Sequence, residues 1–408
     1  MENKLPHLRF PDFSGEWEEK KLGEVAEFSK GKGVSKSEIS EDGINECIRY
    51  GELYTRYSEV IENVFSRTNL SLDKSVVSEA NDVIIPASGE TQIDIATASC
   101  VIKSGIILGG DLNIIKTIHN GVFLSFYLNN KKKLDIANLA QGISVVHIYS
   151  SQLALLTLNF PTLPEQSKIA TFLTEVDEKI SALKKKKSLL EQYKKGVMQQ
   201  IFAQELRFKA DDGSDYPDWE EKKFSEYIKL YRGSSPRPII KFTTKESNGV
   251  NWIKIGDTKN SKNYLIESVE EKITIDGSKK SRKVFIGELI LANSMSFGKT
   301  YLLNIEGCIY DGWFVLREFE KFYNKDFIHQ LLNSDFLQKQ YKTLSAGGVV
   351  QNISSEVVYS TILLKPTLPE QTKIANFLSA IDQKINHCGS QLEKTQDWKK
   401  GLLQQLFV

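Results

Sequence analysis

Apolar residues return every seven positions along the stretch from Ile169 to Ile201. One row runs Ile169, Val176, Leu183, Leu190 and Val197; a second runs Leu173, Ile180 and Ile201, with Lys187 and Lys194 interrupting it. The rhythm returns as Ile374, Ile381, Cys388, Thr395 and Leu402, interleaved with Leu378, Ile385, Leu392, Lys399 and Leu406. A sustained heptad predicts a long helix with a coiled-coil seam. Pro164 and Pro369 stand where a helix start tolerates proline, and Glu165 and Glu370 suit the positive end of the first turn. A helix of about 38 residues at about 1.5 Å each spans about 57 Å. The two helices are expected to pack on each other, antiparallel.

Between these helices the pattern shortens. "NDVIIPAS", "SGIILGGDLNIIKTI", "VNWIKIGD" and "GELILANS" read as strands bounded by Gly, Asn, Asp and Ser turns. "FLSFYLNNKKKLDIANL" and "KDFIHQLLNSDFLQKQYKTL" read as helices. No regular strand–helix–strand alternation emerges, so the class is α+β.

The helices are copies of one another. "PTLPEQSKIATFLTEVDEKI" from Pro161 recurs as "PTLPEQTKIANFLSAIDQKI" from Pro366, and Pro161–Ala203 aligns without a gap on Pro366–Val408. "WEEKK" at Trp17 recurs at Trp219, "LRF" at Leu8 recurs at Leu206, and "AQGISVVHI" corresponds to "SAGGVVQNI". A period of this size duplicates a whole domain and is too long for a solenoid unit. The plan is two mixed α/β domains, 1–160 and 206–365, each followed by a shared helix, 161–205 and 366–408. Two near-copies joined this way are expected to mimic a two-fold axis.

Composition adds constraints. The 408 residues are 40% hydrophobic and 26% charged, with a net charge of +1. By segment the charge is about −5, +2, +3 and +1 in chain order, well short of a protein that coats nucleic acid without selectivity. DNA binding would have to use local basic patches or partner subunits. "MENKLPHLRF" lacks the apolar run of a secretory signal, and no stretch has the length of a membrane span. Cys47, Cys100, Cys308 and Cys388 are scattered, which fits a reducing cytoplasm and argues against a disulfide frame or a zinc site. His387 adjoins Cys388 without companions at ligand spacing.

Catalytic motifs fail on their spacing. "FGKT" at Phe297 resembles a phosphate loop, but Asn293 stands where its first glycine belongs. "PDWEEK" has the letters of a metal-dependent nuclease, yet Asp218 and Glu220 are too close in sequence to converge on a metal from separate strands. The Asn/Asp-Pro-Pro-aromatic loop of an amino-methyltransferase and the Gly-x-Ser-x-Gly elbow are both absent. The chain is expected to have no catalysis of its own.

"LPHLRFPDFSGEWEEKKLGEV", the two "TLPEQ" helices, and "KKGVMQQIF" with its echo "KKGLLQQLF" resemble the specificity subunit of a Type I restriction–modification system, in the family's order over essentially the full length. "GSSPRP" departs from the family's usual glycine–threonine–proline turn. The resemblance implies two target recognition domains, each reading half of a split double-stranded DNA sequence. The helices hold these apart and dock two adenine methyltransferase (modification) subunits, with restriction/translocase subunits joining. It implies no cofactor on this chain; S-adenosylmethionine, ATP and Mg2+ belong to the partners. No membrane is involved. The helices would act as a ruler for half-site spacing, on the order of 34 Å. The residues alone leave a second reading open, a non-catalytic scaffold whose globular domains bind protein or sugar; the near-neutral charge suits it.

Polar, glycine-bearing loops are the candidate DNA contacts, because cations and amides read base edges and backbone N–H groups hold phosphates. In the first domain these are Lys30, Gly31, Lys32, Gly33, Ser35, Lys36, Arg49, Tyr50, Arg56, Ser88 and Gln141. In the second they are Arg232, Gly233, Ser234, Ser235, Arg237, Lys254, Lys259, Asn293, Ser294, Lys299 and Gly347. The heptad residues named above are the candidates for helix pairing and partner docking.

Overall fold

The protein is described here by a computed structural model covering residues 5–142, 145–294, 298–344 and 352–408. It divides into two compact units, Met1–Lys184 with Ser390–Val408, and Lys185–Gly389. Each unit holds one globular region and a piece of both long helices, Leu163–Phe202 and Leu368–Leu406.

Unit 1 is built on a five-stranded sheet in the order Ala26–Lys30, Leu112–Thr117, Asp82–Pro86, Ser99–Val101, Val60–Ile61. Neighbours are antiparallel except the last pair, which is parallel. A second sheet of three strands places Asn45–Ile48 between Ser66–Thr68 and Ile107–Leu108, the latter pair parallel. The "WEEKK" segment becomes Glu18–Lys21, paired antiparallel with Thr157–Phe160, directly before the long helix. The expected helix after "HN" is two helices, Gly121–Asn130 and Lys133–Leu139, the first capped by Asn120.

Unit 2 repeats the scheme. Its main sheet runs Lys229–Arg232, Trp313–Arg317, Leu289–Ala292, Thr300–Leu303, Leu265–Ile266, again with only the last pair parallel. Glu220–Lys223 pairs with Ile362–Lys365 as its counterpart does in unit 1. The second sheet is larger, with five strands, but keeps one parallel pair, Val250–Ile253 beside Gly307–Ile309. "KDFIHQLLNSDFLQKQYKTL" breaks at Ser334 into Lys325–Asn333 and Asp335–Leu344.

The heptads do what their period predicts. In unit 1, Ile169, Leu173, Val176 and Ile180 share a core with Leu402, Leu406 and the ring of Phe407, and Leu392 packs on its edge. In unit 2, Val197 and Ile201 share a core with Ile374, Leu378, Ile381 and Ile385, with Leu190 at its margin. The start of one helix thus meets the end of the other in each unit, the antiparallel sense. Burying each such side chain stabilises by about 1.5–3 kcal/mol. Leu183, toward the middle of its helix, is only half-buried. Lys194 and Lys399, which interrupted the apolar row, meet acids: Lys194 Nζ lies 2.7 Å from Asp382 in unit 2, and Lys399 Nζ lies 2.7 Å from Asp177 in unit 1. The two pairs are the same pair at the 205-residue repeat. Burial pushes the Asp177 carboxyl above its ordinary range despite the ammonium beside it.

The conserved spelling of "LRF" and "PEQ" has one structural cause. Arg9 makes a bidentate pair with Glu165, Nε to Oε1 at 2.8 Å and a terminal nitrogen to Oε2 at 2.7 Å. Arg207 grips Glu370 in the same way at 2.8 and 3.0 Å. Both carboxylates stand in the first turn as expected, and both are buried, at 1% and 0% exposed. The adjacent glutamines fix the next element: Gln166 accepts from the Asn120 backbone and donates to the Pro161 carbonyl, as Gln371 does with Asn324 and Pro366. Phe10 meets Phe172 edge-on at 5.6 Å, and Phe208 meets Phe377 at 5.5 Å. Each globular region is thereby clasped to its own helix at corresponding residues.

Candidate nucleic-acid interface

Each unit carries a cleft at the corresponding place, of about 730 Å³ in unit 1 and about 760 Å³ in unit 2. One wall is the loop leaving the edge strand of the main sheet. In unit 1, Gly31 donates to the Leu112 carbonyl and Lys32 to Leu108, both at 3.0 Å. In unit 2, Gly233 donates to Trp313 at 2.8 Å and Ser234 to Ile309 at 3.1 Å. A Cβ on Gly31 would sit 1.9 Å from the Gly109 carbonyl oxygen, and one on Gly233 would sit 2.0 Å from that of Tyr310. Close backbone packing therefore accounts for both glycines. Gly33, at φ +72°, occupies the left-handed region beside open space.

The other wall follows the central strand of the second sheet. Asn45–Ile48 ends at Arg49, whose backbone N–H donates to Glu52 at 3.0 Å to open the helix Tyr50–Thr55. Val250–Ile253 ends at Lys254, whose N–H donates to Asp257 at 2.7 Å and opens a 3-10 turn. Glu52 and Asp257 are 4% and 6% exposed. "Ile-Arg-Tyr-Gly-Glu" and "Ile-Lys-Ile-Gly-Asp" are thus one turn written twice, at the offset of the long helices.

Both linings mix cations with acids, Glu38 and Asp111 among them in unit 1, but they pair their charges differently. In unit 1 the Arg49 guanidinium reaches Glu52 through one nitrogen at 3.4 Å, while its buried Nε has no hydrogen-bond partner among the described residues. Glu52 also accepts from the Ser66 hydroxyl. Arg56 lies over the Phe65 ring, and Lys36 is exposed on the facing loop. In unit 2 the cations are matched: Lys254 with Glu271, and Arg237 with Asp311 at 3.2 Å. Ser235 also donates to Asp311. Burial pushes the Asp311 carboxyl up, but the Ser235 hydrogen bond and the charges of Arg237 and Arg232 hold it below its ordinary range.

The clefts gather Gly33, Ser35, Lys36, Arg49, Tyr50 and Arg56 in unit 1, and Ser235, Arg237 and Lys254 in unit 2. Lys30 is exposed outside the cleft lining, over the Tyr149 ring. Gln141 is exposed and bridges His147 through its backbone; Ser88 is buried in a two-stranded ribbon. Arg232 donates to the Asp311 carbonyl and Ser234 to that of Lys280. Lys259 is exposed on the turn after Lys254. Asn293 is interior, donating to the Asp311 carbonyl, and Ser294 bridges Asn352. Lys299 lies elsewhere, over Tyr264 in a recess of about 290 Å³ that Lys194 and Asp382 also line; burial lowers its proton affinity. Gly347 lies outside the described residues. A search for cations misses the acids Glu52, Asp257, Glu271 and Asp311. The repeated Gly-Glu and Gly-Asp spellings were the available signal for the first two.

Among the described residues no cluster of three or more His, Cys, Asp or Glu is placed to hold a metal ion, and no helix is long and apolar enough to cross a membrane. The model of the Type I restriction modification DNA specificity domain matches residues 14–192 and again 216–394. The chain is 24% identical over 415 residues to the Type I restriction enzyme MjaVIII specificity subunit of Methanocaldococcus jannaschii, covering 98% of this chain and 93% of that one. The putative type I restriction enzyme MjaX specificity subunit of the same organism matches at 24% over 295 residues, 70% of this chain and 67% of that one. The fold is similar to the crystal structure of a Type I restriction–modification S subunit from M. genitalium, with a TM-score of 0.62, 16% identity and 99% of both chains covered. A chain from a structural study of complex assembly and conformational transition in the type I R-M system gives a TM-score of 0.57 at 16% identity, with 96% and 97% covered. With the specificity domain matched twice on a duplicated scaffold, the chain belongs to the Type I restriction–modification DNA specificity family and is a non-catalytic specificity subunit.

Proposed function

We propose that each unit reads one half of a bipartite double-stranded DNA target through its cleft. The long helices dock two adenine methyltransferase subunits, and restriction/translocase subunits join that core. Supporting this is one observation: two clefts of similar size sit at the same place on a repeated scaffold, yet present different side chains. Antiparallel strands require two catalytic subunits to mark an adenine on each. A chain with repeated clasps offers two alike docking surfaces while leaving each reader free to differ. With a net charge of +1, phosphate attraction must come from local loops and from the partners. S-adenosylmethionine, ATP and Mg2+ act on those partners in the cytoplasm.

The test is a genome-wide map of methylated adenines in a host carrying only this chain and its methyltransferase partner. A split target methylated on both strands is expected, with none when the chain is omitted. Methylation independent of the chain would overturn the reading.

A further inference from the structure

We propose that Arg49 is a specificity-determining residue that reads a guanine in the half-site of unit 1, and that Lys254 is its counterpart in unit 2. The inference rests on the cleft reading above and deepens it.

Arg49 stands at the exit of a central strand, at a position both units build alike: a cation, a glycine two residues on, and a buried acid one further. That acid is occupied from below. Glu52 accepts from the Arg49 backbone N–H and from the Ser66 hydroxyl, so it anchors the turn whatever the side chain above it does. The guanidinium is held by only one long contact at 3.4 Å, and its Nε is shielded from solvent without a partner among the described residues. The side chain as a whole is 28% exposed and lines the cleft, so its terminal nitrogens are within reach of an acceptor entering there. A guanidinium presents two parallel donors in a fixed fork, which matches the O6 and N7 acceptors of guanine in the major groove.

Lys254 has the same backbone setting but not the same chemistry. It carries a single ammonium directed at Glu271, so it offers a point charge already matched by an acid. The two half-sites are therefore read with unequal dependence on this residue, more in unit 1 than in unit 2.

The experiment compares R49Q, R49K and K254Q with the unaltered chain, each assembled with the methyltransferase partner, by mapping methylated sequences position by position. R49Q is expected to lose discrimination of about 5- to 150-fold at one guanine of one half-site, leaving the other half intact. R49K should not restore it, because an ammonium lacks the fork. K254Q should alter only the other half, and more weakly. An unchanged target for R49Q would overturn the assignment while leaving the specificity role standing. So would uniform weakening on all sequences with the salt slope reduced by about 1, the mark of a phosphate contact. Failure of the unaltered chain to direct methylation would instead defeat the cleft reading itself. Unfolding curves of the variants check that the turn survives, as the backbone bond to Glu52 predicts.

Discussion

The clasps and the clefts are both duplicated, but they have diverged to opposite degrees. At the clasps, Arg9–Glu165 and Arg207–Glu370 agree in residue type and nearly in distance. At the clefts, Arg49 answers to Lys254, Glu52 to Asp257, and a three-stranded sheet to a five-stranded one. A clasp must join a globular region to a helix whose sequence is fixed by pairing with its own copy. The side chains that line a cleft have no such repeated partner to match. Even the clasps are not identical. Trp219 Nε1 donates to Glu370 at 3.0 Å, whereas Trp17 Nε1 has no hydrogen-bond partner among the described residues.

That comparison is broken most severely at the clasp. R9A or R207A would leave a buried carboxylate without its arginine, at a cost of up to about 3–5 kcal/mol, measured by denaturant unfolding. Equal losses would show the two clasps to be equivalent; a smaller loss for R207A is expected if the Trp219 donor shelters Glu370. Next come the cleft walls. G31A and G233A each push a methyl into a carbonyl oxygen and should cost about 1–3 kcal/mol by the same assay, with similar values for both. If either is neutral, the loops are looser than drawn. The helix pairs rank third: K399M strands Asp177 and Glu59 and should cost about 1–3 kcal/mol, while the double replacement of Asp177 and Lys399 by apolar residues should recover only part of it, because Glu59 stays without the ammonium.

The smallest effect is on pH dependence. Burial lowers the proton affinity of His119 and His329, the former also facing the charge of Lys20 and the latter that of Lys194. The unfolded chain then binds more protons just below the ordinary histidine range. Stability is full above pH of about 6.5 and falls as the pH drops through the lowered folded values. Melting temperatures followed from pH 7.5 downward should show this decline, and it should shrink in H329Q.

The long helices were legible because a heptad is a local code. The partners of its interruptions were not: nothing near Lys194 or Lys399 in sequence points to Asp382 or Asp177, since the pairing depends on which helix face meets which. Glu165 and Glu370 do stand in the first turns, but their pairing with the remote Arg9 and Arg207 was hidden for a similar reason. Of the main-sheet strands, the apolar runs marked Asp82–Pro86, Leu112–Thr117 and Leu289–Ala292, whereas the shorter strands beside them, and the order of all of them, depend on crossovers that the pattern does not encode. At the clefts, the glycine turns and cations were found by composition. The matching acids were not legible because attraction to DNA singles out cations, whereas the acids act by orienting them.

Exchange of residues 14–150 for the corresponding region of a relative with a different target tests the central claim most directly. Methylated sites of the hybrid, assembled with the same methyltransferase, should change in one half-site and remain unaltered in the other. A change in both halves, or in neither, would contradict an account in which one scaffold carries two independent readers.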